Sequence, residues 1–157
     1  MSLASSASRT NDFVIKIATV NGTGSASANT LLMKSIFRSG IPVMGKNYFP
    51  SNIQGLPTWY EIRVSKDGYV ARSGKVDIMV AMNAETYARD VRDVAPGGYL
   101  IYDSTWPRPA LLKRDDITVI GVPLARLCNE NFKGVRTRIL DRKSTRLNSS
   151  HVSESRM

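Results

Sequence analysis

A turn built on two glycines, Asn21-Gly22-Thr23-Gly24-Ser25, is where residue types and spacing in this chain point most directly to ligand chemistry. It follows a largely apolar, β-branched run at 13–20 and precedes a helical pattern ending near Gly40. Both glycines can take positive φ or let an anion approach the backbone, and Ser25 or Ser27 can cap the helix. The free N–H groups of the first helical turn then form an anion site. Two readings stay open: a phosphate cradle, or a tight turn whose small residues let helix pack on sheet. The dinucleotide fingerprint is incomplete, because Gly22-x-Gly24-x-x-Ser27 carries serine for the third glycine. The acid that would hold a ribose about 20 residues further on is also missing. The region 42–46 offers only Lys46 as a charged group. An ordinary NAD site is therefore disfavoured, and the cofactor-binding candidates are Asn21, Gly22, Thr23, Gly24, Ser25 and Lys46.

Other chemistries lack their parts. The only histidine, His151, stands near the end of the chain, so residues 1–141 hold no imidazole for base catalysis or zinc. The only cysteine, Cys128, cannot form a disulfide within the chain or ligate an iron–sulfur cluster alone, and reads as a core thiol. No catalytic residue and no metal ligand is assigned. Among the carboxylates, Asp77 opens a strand and Asp103 closes one, which puts Asp103 at the edge where open α/β sheets bind ligands. A turn or cap role is its other reading. Trp59 and Tyr60 read as packing residues; an exposed Trp59 would instead mark an interface.

These residues need a scaffold, and the hydrophobic pattern supplies one. The helix after Gly24 is predicted to show Ala28, Leu31, Leu32, Ser35 and Ile36 on its apolar face. A short strand is predicted at 41–44, and a long connection at 45–57. Residues 58–65 alternate as a half-exposed strand, and Lys66-Asp67-Gly68 reads as a hairpin turn into 69–72. Residues 76–82 form a buried strand, after which Asn83 can cap a helix running to about Val94, ended by Pro96-Gly97-Gly98. Further strands fall at 99–102 and 117–122, with loop at 106–110 between them and a helix at 124–131 opened by Pro123. Strands alternating with helices predict an α/β, Rossmann-like fold: a mainly parallel sheet with helices on both faces and an inserted antiparallel hairpin near 58–72.

Composition bounds the rest. With 157 residues and 42% apolar content, one compact domain is expected. No apolar run approaches the roughly 18 residues of a membrane span, and the Ser-rich start lacks the core of a secretory signal. A cytoplasmic location without membrane contact is expected. The net charge of +9 would suit a polyanion, but Arg142, Lys143, Arg146 and Arg156 against Glu154 place +3 of it in the last sixteen residues. The remaining charges interleave, as in Lys113-Arg114-Asp115-Asp116 and Arg89-Asp90-x-Arg92-Asp93, and read as solvated faces, so no nucleic-acid partner is expected.

Four segments carry a family resemblance: Asn21-Gly22-Thr23-Gly24-Ser25-Ala26; Asn47-Tyr48-Phe49-Pro50-Ser51-Asn52-Ile53-Gln54-Gly55-Leu56-Pro57 leading into Tyr60-Glu61-Ile62-Arg63-Val64; Asp77-Ile78-Met79-Val80-Ala81-Met82-Asn83; and Pro96-Gly97-Gly98-Tyr99-Leu100-Ile101-Tyr102-Asp103. In this order the chain resembles the gamma-type (pyruvate/ketoisovalerate oxidoreductase) domain of 2-oxoacid:ferredoxin oxidoreductases. The form it resembles is the one joined to the front of the alpha subunit in 2-oxoglutarate-type enzymes. The resemblance runs from about residue 12 to 140. Many members carry Arg-Gly-Gly where Gln54-Gly55-Leu56 stands, so the chain resembles a distinct branch. The resemblance implies oxidative decarboxylation of a 2-oxoacid, such as 2-oxoglutarate, to its acyl-CoA, with electrons passed to ferredoxin. It also implies thiamine diphosphate between the alpha domain proper and the beta subunit, iron–sulfur clusters on other subunits, and coenzyme A as co-substrate. This domain would flank the active site and help to hold coenzyme A, with no cofactor bound by the chain alone.

The expected organisation is a disordered leader at 1–11, the oxidoreductase domain at 12–140, incomplete at its C-terminal end, and a disordered tail at 141–157. The tail resembles a translated sequencing adapter rather than native sequence. From another functional class, a stand-alone Rossmann-like module that binds a phosphorylated ligand or a partner protein remains the alternative.

Overall fold

The computed structural model describes residues 11–49, 55–106 and 113–131. Residues 1–10 of the leader expected at 1–11, most of the 106–110 loop and the tail at 141–157 lie outside them. In chain order the elements are β1 (Asp12–Val20), α1 (Ser25–Arg38), β2 (Val43–Tyr48), β3 (Pro57–Ser65), β4 (Val76–Ala81), α2 (Tyr87–Asp93), β5 (Val94–Asp103), β6 (Thr118–Val122) and α3 (Leu124–Asn131). They form one six-stranded sheet in the order β2-β3-β1-β4-β5-β6. β1, β4, β5 and β6 run parallel, while β3 is antiparallel to both β1 and β2. This is the predicted mainly parallel α/β sheet.

The register assigns the faces. Ile15 and Ile17 of β1 pair with Ile62 and Tyr60 of β3, and this face packs on Met33 and Ile36 of α1. On the other face, Met79, Ala81 and Leu100 meet Tyr87 and Val91 of α2. Helices therefore cover both faces, as expected for strands this apolar.

Several local expectations are corrected. The antiparallel hairpin has β2, not 69–72, as its other arm. The turn at Lys66-Asp67-Gly68 does form, with Gly68 at φ 77° and its N–H donating to the Ser65 carbonyl at 3.2 Å, but Tyr69 and Val70 leave the sheet exposed. β2 extends through Gly45, Lys46, Asn47 and Tyr48, which the sequence placed in a connection. Pairing with β3 outweighs the weak strand propensity of glycine and asparagine there. A Cβ at Gly45 would lie 2.5 Å from the Tyr60 hydroxyl and 2.6 Å from Met33 Sδ, so both side chains would have to shift to admit one. α1 is turned relative to its predicted face: Asn29, Met33 and Ile36 face the sheet, while Leu31 (65% exposed), Leu32 and Phe37 (66%) face outward. Pro96-Gly97-Gly98 does not end a helix before a later strand. It lies inside β5, where the ladder to β4 shifts register between Val76 and Ile78 and Gly97 takes φ 78°.

α2 begins at Tyr87 behind Thr86, not at Asn83, whose side chain instead accepts from the Glu85 N–H (3.0 Å) and donates to the Thr19 carbonyl (3.3 Å). Asp90 locks α2 to the sheet. Fully buried, it accepts from Trp59 Nε1 at 2.8 Å and Thr86 Oγ1 at 2.7 Å. Trp59 is thereby a packing residue, and the predicted solvated face at 89–93 is partly interior. Burial raises the Asp90 carboxyl above the ordinary aspartate range, against the lowering effect of those two hydrogen bonds and of Lys16. The folded chain thus holds the Asp90 proton more tightly than the unfolded one. That contribution to stability is full below the ordinary aspartate pKa and fades as pH rises through the raised one. Asp90→Ala, which orphans two buried donors, is expected to cost about 1–3 kcal/mol for each in chemical denaturation. Asp90→Asn keeps an acceptor for the indole and cannot ionise. The stability of the unchanged chain relative to this variant should therefore decline as pH rises from about 4 towards neutrality.

Candidate functional site

Where β1 ends, the chain turns at the carboxyl edge of the sheet. Asn21 is tied to the start of β3, its N–H donating to the Leu56 carbonyl (2.8 Å) and its carbonyl accepting from the Gly55 N–H (3.0 Å). Gly22 and Gly24 take φ 86° and 80°, the left-handed region that a side chain would oppose. Thr23 Oγ1 donates back to the Val20 carbonyl at 2.8 Å, and Ser25 Oγ lies 2.9 Å from Thr19 Oγ1. These contacts draw Ser25 towards β1, and Gly24 takes the capping position of α1 with no side-chain hydrogen bond. Among the described residues, no side chain caps the positive dipole end of α1 and no carboxylate lies in its first turn.

The start of α3 shows the contrast. Asp103, at the end of β5, accepts from the Thr105 N–H (3.0 Å) and hydroxyl (2.6 Å) and from the Ala125 N–H (3.4 Å). Thr105 Oγ1 in turn accepts from the Arg126 N–H at 3.2 Å. Asp103 is a turn-and-cap residue, one of its two sequence readings, and the N-terminus of α3 is filled by the protein's own carboxylate.

The structure brings Asn21, Gly22, Thr23, Gly24 and Ser25 together in the turn, but not Lys46. Lys46 stands opposite Glu61 on β3, which stands opposite Lys16 on β1, so it projects from the edge strand on the face away from α1. Along the strand, Lys16 is about 16 Å from Asn21 at the usual rise per residue. The Lys46 ammonium lies over the Tyr48 ring, 5.3 Å from its centroid.

On that face is a polar cleft that sequence spacing did not reveal. It encloses about 190 Å³ and is lined by Lys16, Glu61, Arg72, Lys75, Arg89 and Asp93. Lys16 is almost fully buried and donates to Asp93 at 2.7 Å, while Arg72 meets Glu61 at 3.5 Å. The one available signal was Lys16 itself, a charge interrupting an apolar strand.

An open α/β sheet with an uncapped helix at the carboxyl edge of an interior strand defines the Rossmann-like class of ligand-binding domains. Within that class the chain belongs to the pyruvate ferredoxin/flavodoxin oxidoreductase family, whose family model matches residues 14–141. It is 35% identical over 121 residues to subunit alpha of 2-oxoacid:ferredoxin oxidoreductase 2 from Aeropyrum pernix, covering 77% of this chain and 18% of that protein. Its fold is similar to 2-oxoglutarate:ferredoxin oxidoreductase from Magnetococcus marinus, solved with 2-oxoglutarate, coenzyme A and succinyl-CoA bound. There the TM-score is 0.68 at 22% identity, over 78% of this chain and 22% of the other. It is also similar to the pyruvate oxidoreductase subunit PORC from Thermotoga maritima, with TM-score 0.62 at 15% identity, over 76% and 66% of the two chains. The chain thus spans about a fifth of the length of the Aeropyrum pernix and Magnetococcus marinus proteins it matches.

Removing the Asp103 carboxylate tests the division between the two helix starts. Asp103→Ala is expected to lower stability by about 1 kcal/mol and to speed amide exchange at Ala125, leaving exchange in α1 unchanged.

Proposed function

We propose that this chain is the gamma-type domain of a 2-oxoacid:ferredoxin oxidoreductase and that the turn 21–25 receives a phosphate of coenzyme A. The observation that carries the reading is the contrast between the two helix starts at one sheet edge: among the described residues, Asp103 fills the start of α3 and no side chain caps the start of α1. The Magnetococcus marinus relative, with coenzyme A and 2-oxoglutarate bound, supports coenzyme A as ligand and 2-oxoglutarate as the 2-oxoacid. The complete enzyme would decarboxylate the 2-oxoacid oxidatively to its acyl-CoA and pass electrons to ferredoxin in the cytoplasm. Lys46 does not join the coenzyme site in this reading, since it stands over Tyr48 on the far face.

The residues present do not fit the other cofactors of such an enzyme. The chain has one cysteine, and among the described residues no three His, Cys, Asp or Glu side chains are grouped to hold a metal. In this reading thiamine diphosphate lies between the alpha domain proper and the beta subunit, and the iron–sulfur clusters lie on other subunits. The outward face of α1, with Leu31, Leu32 and Phe37, supports packing against such partners.

Titration calorimetry should detect coenzyme A binding and none of NAD at matched concentration. Ser25→Asp places a carboxylate at the helix start, which favours folding and repels phosphate. It is expected to weaken coenzyme A by about tenfold without lowering Tm. Micromolar NAD binding, or coenzyme A affinity unmoved by Ser25→Asp, would sink the assignment. Given 2-oxoglutarate, coenzyme A, thiamine diphosphate and an artificial electron acceptor, the purified chain should turn over at background rate.

A further inference from the structure

The face of the sheet beside α2 carries more positive charge than its carboxylates offset. Tyr48 and Trp59 are register partners on β2 and β3, and each ring has two cations over it. Lys46 Nζ lies 5.3 Å and the Arg72 guanidinium 5.0 Å from the Tyr48 centroid. Lys16 Nζ lies 5.8 Å and the Arg89 guanidinium 4.6 Å from the Trp59 centroid. Lys75 lines the same cleft. Against these five cations stand Glu61 and Asp93, both already engaged, with Asp90 sealed behind the Trp59 indole.

Cations sharing a ring repel each other, and here two such rings are neighbours. The aromatic faces hold the guanidinium planes, while the Arg72 and Arg89 side chains remain 59% and 60% exposed. Arg89 meets Asp93 only at 4.0 Å. Two preoriented forks with donors to spare, above the buried ammonium of Lys16, suit a tetrahedral oxyanion, because little side-chain entropy is left to lose on binding. A cleft of about 190 Å³ has room for one.

We propose that this cleft binds a phosphate or diphosphate group between Arg72 and Arg89, with Lys16 beneath and Lys75 at the rim. It opens beside the first residue of β4, at the opposite edge of the sheet from the turn 21–25, and does not rest on the coenzyme A reading.

The test is titration calorimetry of the full 157-residue chain with inorganic phosphate and with pyrophosphate, ionic strength held constant with sodium chloride. Both anions should bind, pyrophosphate more tightly if a diphosphate spans the two arginines. The double variant Arg72→Gln/Arg89→Gln should bind at least about tenfold more weakly. Both side chains are largely exposed, so Tm should show it folded. Lys34→Gln/Arg126→Gln removes the same two charges from the exposed surfaces of α1 and α3 and should stay within about twofold of the unchanged chain. Absence of binding by the unchanged chain, or equal weakening in both double variants, overturns the site. Ser25→Asp reads the coenzyme turn separately, so either assignment can fail without the other.

Discussion

Every residue of β1 from Asp12 to Val20 is paired with β3, and four of them, Ile15 to Ala18, are also paired with β4. An interior strand with both edges occupied cannot slip by one residue without exchanging its apolar and polar faces. That constraint puts Ile15 and Ile17 under α1 and turns Lys16 towards α2. It also fixes where β1 stops, and hence where the backbone N–H groups at the start of α1 are presented. The antiparallel neighbour on one side and the parallel one on the other make β1 the seam between the β2–β3 hairpin and the wound half of the sheet.

The buried charge follows from the same seam. Lys16 can stay in an almost dry position because Asp93 at the end of α2 meets it and Trp59 offers a ring face. Burying an ion is tolerated only where partners replace its water. Asp90, one turn earlier in α2, holds the indole that Lys16 and Arg89 lie over. Cleft and helix docking are consequently one arrangement: α2 cannot shift on the sheet without disturbing both the Trp59–Asp90 hydrogen bond and the Lys16–Asp93 pair.

The two ends of the parallel strands differ in character. At the carboxyl edge the turn after β1 carries no charged side chain and is shaped by backbone, with Gly22 and Gly24 in left-handed conformations and hydroxyls turned inward onto β1. The other, beside Lys75 and Asp93, is shaped by charged side chains. The binding proposed at the first would rest on helix-start N–H groups and their dipole, and that proposed at the second on guanidinium planes held over rings.

Local pattern made the elements legible. The apolar run of β1, the glycines after it and the runs of β4 and β6 each specify their element without reference to the others; the alternation of β3 specifies a strand but not its burial, since Trp59 and Glu61 on the expected exposed face are covered as well. The candidate turn was legible for the same reason, since its five residues are contiguous. The arm that pairs with β3, the rotation of α1 and the start of β5 were decided by the tertiary structure. Met33 packs close to Gly45 while Leu31 and Leu32 face outward, and the sheet takes up Pro96-Gly97-Gly98 as a bulge where sequence signals an end. The cleft was likewise invisible in the sequence, because Lys16, Tyr48, Glu61, Arg72 and Arg89 come from separate segments. Cation–aromatic and ion-pair contacts require proximity that only the strand order β2-β3-β1-β4 creates.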